Sequence, residues 1–231
     1  MSPPNIPGHF HDLRATGAAR DAFDAQAATD WRTFLSLRAL ELRPTGRLVI
    51  VVPAVDETGF HGAGTLYDAG NDTIAELASR GTISASERAR MVTPTRMRGR
   101  AHLLMPFAET GSFAGLTVEH CEVSQWADAA WDAYRTHGDS TLLATDRARF
   151  FRSVFIPTLT TALDPNRTAA DRLAFADALE AALVLRLGTV HHEIPVTSAI
   201  IVVVRQPVRQ GDRSVRSLGA ELKQHAPRSE H

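Results

Sequence analysis

The pattern of apolar and polar positions changes abruptly near residue 46. From Ala22 to Leu42 the apolar residues Trp31, Phe34, Leu35, Leu37, Leu40 and Leu42 recur at intervals of three and four, the period of a helix with one apolar face. Asp24 can cap this helix, and Pro44 and Gly46 stop it. Arg47–Val52 follows at once as a run apolar on both faces, which predicts a central strand of a covered parallel sheet. Ser198–Gln206, "SAIIVVVRQ", has the same character, and Leu116–Val123 predicts a further strand. Between the strands the spacing predicts helices over 72–79, 85–91, 96–109, 126–137, 144–163 and 169–187, with a kink at Pro157.

The remaining segments read as connections. Residues 1–20 are broken by Pro3, Pro4, Pro7 and Gly8, and Pro53–Asn71 is rich in Gly, Asp and Thr, so both predict loops. Residues 207–231 offer no core face and read as a disordered tail. The fold class is therefore α/β with a helical insertion. A sheet this apolar needs cover on both sides, and the first strand reads as one that has a neighbour, although fewer than 50 residues precede it.

Composition narrows the function classes. The chain has 231 residues, 44% hydrophobic and 22% charged, enough to bury a core. A formal net charge of −1 gives no global field for nucleic acid or an anionic membrane. Of 25 basic residues all but Lys223 are arginine, the bias of a GC-rich bacterial genome. Cys121 is the one cysteine, so no intrachain disulfide forms and a reducing cytoplasm fits. The first residues lack the basic and apolar regions of a signal peptide. The longest apolar runs, Leu48–Val55 and Ala199–Val204, fall short of the roughly 20 residues needed to span a bilayer. A soluble cytoplasmic protein is expected.

Several short motifs carry candidate chemistry. "GFHGAG", Gly59–Gly64, follows a strand, but a dinucleotide loop turns directly into a helix, and no helix is predicted to open here. A flexible loop is the simpler reading. "HFHD" (His9, His11, Asp12) and "HHE" (His191, His192, Glu193) could ligate a metal, yet neither shows the i, i+4 spacing of a helical pair. Cys121, inside a predicted strand, reads as a core residue rather than a nucleophile. The G-x-S-x-G elbow of the α/β-hydrolases does not occur. Aromatic residues of the helical stretches serve a core or a pocket equally well.

One resemblance goes further. "FDAQAATDWRTFLSLRALELRPTGRLVI", Phe23–Ile50, resembles the segment before the fifth strand of the SABATH carboxyl methyltransferases and their bacterial relatives. Gln26, Asp30, Phe34, Leu35, Arg38, Ala39, Glu41, Leu42, Pro44, Gly46 and Arg47 carry it, with Thr45 where the family has a second glycine. "LASRGTI" resembles the end of the family's first cap helix, and "TPTRMRGR" matches a family turn only at Pro94. "ETGSFAGLTVEH" resembles the approach to the sixth strand, "FFRSVFIPTL" a cap helix, and the last strand the family's C-terminal one. The similarity runs in order from about residue 20 to 206.

The resemblance implies a partial class I methyltransferase (Rossmann-like) sheet, strands five to seven, with a helical cap insertion. Strand seven, Ser198–Arg205, would lie antiparallel between strand five, Arg47–Val52, and strand six, Leu116–Val123. The implied division is an N-terminal loop (1–20), a helix and strand five (21–53), cap regions (54–110 and 124–195), the last core strands (111–123 and 196–206) and a tail (207–231). The cofactor would be S-adenosyl-L-methionine, but the family's acidic-Gly-rich loop that holds it precedes this segment. The chain thus resembles a C-terminal portion, from a truncated gene or a start assigned too late. Leu66, Tyr67, Phe151 and Val196 fall on or near the family's acceptor-lining positions; no catalytic residue is carried over. A small carboxylic acid acceptor and a possible homodimer are implied. The rival readings are a non-catalytic binding or dimerisation module and, less well supported, a metal-dependent hydrolase using the histidine clusters.

Overall fold

The computed structural model describes residues 6, 8–93, 95–189 and 191–207. Pro94 and residues 208–231 of the expected tail lie outside the described residues. Helix α1 (Gly17–Glu41) opens five residues earlier than its periodicity predicts. The region expected as an N-terminal loop also contains a 3-10 turn, Asp12–Arg14. On α1 the buried residues Phe23, Ala27, Trp31, Leu35 and Ala39 are spaced by fours along one stripe. Trp31 donates its indole N–H to the Leu103 carbonyl at 3.0 Å, which ties α1 to the short helix Arg100–Leu104. Thr45, in the turn after α1, has φ +64°, which accounts for glycine being usual there.

Four strands follow the turn in one sheet: β1 (Arg47–Pro53), β2 (Ser112–Phe113), β3 (Leu116–Trp126) and β4 (Val196–Arg205). Their order is β1-β4-β3-β2 and every pairing is antiparallel. The last strand therefore lies between the other two long strands, as the resemblance implies. The reading of β1 as a central parallel strand is corrected. Among the described residues it is an edge strand: Leu48, Ile50 and Val52 turn toward α1, while Val49 and Val51 are 61% and 54% exposed. A strand apolar on both faces reads as covered, but among the described residues one face has no cover.

The helices form a second layer. They are α2 (Gly64–Ser79), α3 (Ala85–Arg90), α4 (Arg100–Leu104), α5 (Ala129–His137), α6 (Ser140–Thr160) and α7 (Ala169–Leu187). α2 begins eight residues before the expected 72, so the connection after β1 is shorter than its composition suggests. The helix expected over 96–109 is α4 followed by a 3-10 turn, Met105–Phe107. α6 is continuous through Pro157 to its last turn. α2, α6 and α7 bury a core around Leu66, Ile74, Phe151, Phe155, Leu179 and Leu183, and a separate cluster joins α1 to the sheet. Capping boxes start α3 at Ser84/Glu87 and α7 at Thr168/Asp171. No described helix is long and apolar enough to cross a membrane.

Candidate functional site

A cleft of about 840 Å³ opens where β1 ends. It is lined by Val55 and Asp56 at the strand end, His61 and Gly64 at the start of α2, Leu13, Arg14 and Arg20 from the N-terminal segment and α1, and Gly99–His102. Asp56 shapes the turn by accepting hydrogen bonds from Thr58 N, Thr58 Oγ1 and Phe60 N, all within 2.9 Å. The Thr58 hydroxyl, then the backbone N–H groups, hold this carboxyl below its ordinary range.

His61 is fixed on several sides. Its Nδ1 accepts the Ala63 N–H at 3.1 Å, and its carbonyl accepts the Thr197 N–H at 3.2 Å. Its ring lies parallel to that of Tyr67, with 5.7 Å between centroids. Burial pushes the imidazole pKa down, so the ring is neutral at neutral pH. With Nδ1 accepting, the proton resides on Nε2.

Beneath the cleft runs a buried polar layer. His11 and Asp12 are almost fully buried, their side chains 2.9 Å apart, and the nearest cation to Asp12 Oδ2 is Arg96, at 3.6 Å. The His11 Nε2 lies 3.0 Å from Thr95 Oγ1, and its ring packs 4.5 Å from that of Tyr67. Burial pushes the Tyr67 phenol up to about 12, so it stays protonated. At the cleft wall Arg14 pairs with Asp68, and Arg96 with Asp24. Among the described residues Arg20 and Arg100 reach only carbonyls, of Asp12 and Cys121, each at 3.4 Å.

The motifs weighed in the sequence resolve differently. α2 opens directly after "GFHGAG", contrary to the expectation of a flexible loop with no helix following. Gly62, at φ +86°, lies so close to the Pro195 carbonyl that a Cβ would sit 1.4 Å from its oxygen. That glycine serves a chain crossing, not a phosphate. His192 bonds to Thr65 through Nε2 at 2.7 Å, and His191 lies 3.3 Å from the Tyr134 hydroxyl. Among the described residues no three His, Cys, Asp or Glu side chains are grouped to hold a metal. Burial raises the Cys121 thiol pKa, the opposite of what a nucleophile needs.

The sequence profile of one family, described as SAM dependent carboxyl methyltransferase, matches residues 9–182. The chain belongs to that family. Among curated proteins no sequence matches. A solved loganic acid methyltransferase with SAH is similar in fold, with a TM-score of 0.61 at 17% identity over 88% of this chain. The chain spans 54% of that enzyme's length.

Of the positions that the family resemblance points to, Leu66, Tyr67 and Phe151 come together, but as a filled core. Phe10 stands against Tyr67, Phe151 and Phe155 at centroid distances of 6.4, 5.6 and 5.4 Å. Val196 sits apart at the start of β4, opposite Trp126 and 38% exposed. None of these four lines the cleft, although Tyr67 carries the His61 ring that does. Sequence reasoning missed His61, Arg20 and Arg100. Only the paired glycines around His61 signalled a constrained loop. The passage from β1 to α2 is the described segment nearest to a glycine-rich cofactor loop, and its Gly62 is packed against Pro195, so these residues do not fit S-adenosylmethionine.

Proposed function

We propose that this chain is the acceptor-binding part of an S-adenosyl-L-methionine-dependent methyltransferase acting on a small carboxylic acid, and that an α/β segment docked on β1 holds the cofactor. The bare edge of β1 carries this reading. Val49 and Val51 lie exposed beside half-buried Val202 and Ile200 of β4, while the same face of β3 presents His120 and Glu122. The apolar area is thus concentrated at the free edge, and no lysine, bulge or internal proline protects it. Leu37 and Leu40 of α1, 48% and 58% exposed, add to the uncovered apolar surface.

The cleft lies at the carboxyl end of the same strand. A carboxylate acceptor is its own nucleophile. This chain would therefore supply orientation rather than an acid or base. Homodimerisation belongs to the same proposal, with Phe150 and Val154 of α6, both 47% exposed and one turn apart, as an apolar patch for it. The single unpaired Cys121 supports a cytoplasmic location.

A non-catalytic binding module draws on the same bare edge. Co-expression with a cofactor-binding α/β half, followed by labelled methyl transfer to a panel of small carboxylic acids, separates the two. Stable association with transfer supports the enzyme reading. Association without transfer favours the binding module.

A further inference from the structure

We propose that the His61 Nε2–H is the group that grips one oxygen of the acceptor's carboxylate, with the Arg20 and Arg100 guanidinium groups of the same cleft supplying the positive field. This rests on the carboxyl methyltransferase reading and names a specificity-determining residue within it.

Three observations converge. The first is a cleft large enough for a small organic acid, with Leu13, Val55, Ala101 and Val123 offering it apolar surface. The second is the set of charges left over in that cleft. Arg14 and Asp68 satisfy each other, Arg96 is held by Asp24, and Asp56 is occupied by its own turn. Among the described residues Arg20 and Arg100 touch only carbonyl oxygens, at 3.4 Å, and Glu57 is the carboxylate of the cleft wall with no partner. Arg20 and Arg100 outnumber Glu57 on the cleft wall, and the buried Asp12 beneath it has Arg96 at 3.6 Å, so the wall favours an anionic guest.

The third is the preorganisation of His61. The Ala63 N–H fixes the tautomer, the Tyr67 ring fixes the plane, and the crossing of Gly62 over Pro195 fixes the backbone. Among the described residues Nε2 has no partner, and it lies beside Gly64 on the cleft wall. A donor held this way loses little entropy on binding. Its neutrality also suits the chemistry. An imidazolium would pair with the acceptor and quench its nucleophilic oxygen, whereas a neutral N–H orients one oxygen and leaves the other free.

The test uses the chain labelled with ¹⁵N-histidine and benzoate as the probe. Long-range ¹H–¹⁵N spectra at pH 7 should show His61 protonated at Nε2, with that signal shifting saturably on benzoate addition and far less with benzamide. His61→Phe keeps a ring on Tyr67 but removes the donor, and benzoate affinity should fall about 10-fold or more. His61→Gln, which restores an N–H, should recover most of it. A folded His61→Phe chain that binds benzoate as the unmodified chain does would overturn the assignment and leave the methyltransferase reading standing; so would a His61 protonated at Nδ1. If His61 responds to benzoate but the protein completed with its cofactor-binding half methylates no acid, the carboxylate site stands and the enzyme reading falls.

Discussion

Phe10 stands edge-on to Phe151, ring centroids 5.6 Å apart at 71°, in the space that the family resemblance gives to an acceptor. The N-terminal segment is therefore part of the core. Thr93 N–H donates to the Phe10 carbonyl at 2.7 Å and keeps the segment in place. Phe10→Ala should cost about 3–5 kcal/mol, read as a lower urea midpoint at unchanged m-value. A loss under about 1 kcal/mol would mean that the ring does not anchor this core.

Glu87 ties three elements together. It caps α3 and accepts hydrogen bonds from Arg167 Nε and Nη2 at 2.6 and 2.7 Å and from Asp164 N at 2.8 Å. The Arg167 hydrogen bonds, outweighing burial, hold its carboxyl far below the ordinary glutamate value of 4.5. The folded form therefore binds the proton less readily than the unfolded form. Its stabilising effect is complete above about pH 4.5 and is lost as pH falls further toward the depressed folded value. Glu87→Gln should cost about 3 kcal/mol at pH 7 and flatten the acid limb of the stability curve. An unchanged acid limb would contradict this.

Thr45 occupies a left-handed conformation, φ +64°, while its N–H bonds the Arg205 carbonyl at 2.9 Å. A β-branched residue is strained there. Thr45→Gly keeps the hydrogen bond and should raise stability by about 1 kcal/mol in thermal or urea unfolding. A loss of stability would show that the Thr45 side chain contributes more than its backbone strain costs.

Gly62→Ala should do the reverse. With a Cβ 1.4 Å from the Pro195 oxygen, the crossing must open. The Thr197 N–H to His61 carbonyl bond, 3.2 Å, spans that crossing. Hydrogen exchange at Thr197 should accelerate, with a stability loss of about 4 kcal/mol. Unchanged protection of Thr197 would show that the crossing tolerates a side chain.

What the sequence made legible follows from the range of each signal. The three- and four-residue spacing from Trp31 to Leu42 and the apolar runs of β1 and β4 are local and marked their elements, although α1 opens five residues earlier and Leu37 and Leu40 of the expected apolar face are exposed. The placement of β4 between β1 and β3 came only from the ordered family motifs, because pairing partners leave no trace in periodicity. β1 misled for a physical reason: Val49 and Val51 have the composition of a covered face and no cover among the described residues. Phe10 was invisible because its segment has no period. His61 was invisible because its value lies in tautomer and stacking, both set by residues brought together only on folding.

The central claim is that this chain binds the acceptor while a docked half binds the cofactor. Calorimetric titration with S-adenosylhomocysteine tests it most directly. The account predicts no heat of binding to this chain alone and saturable binding at about micromolar Kd once the α/β half is joined to β1. Micromolar binding to this chain by itself would contradict it and would place the cofactor in the cleft beside His61.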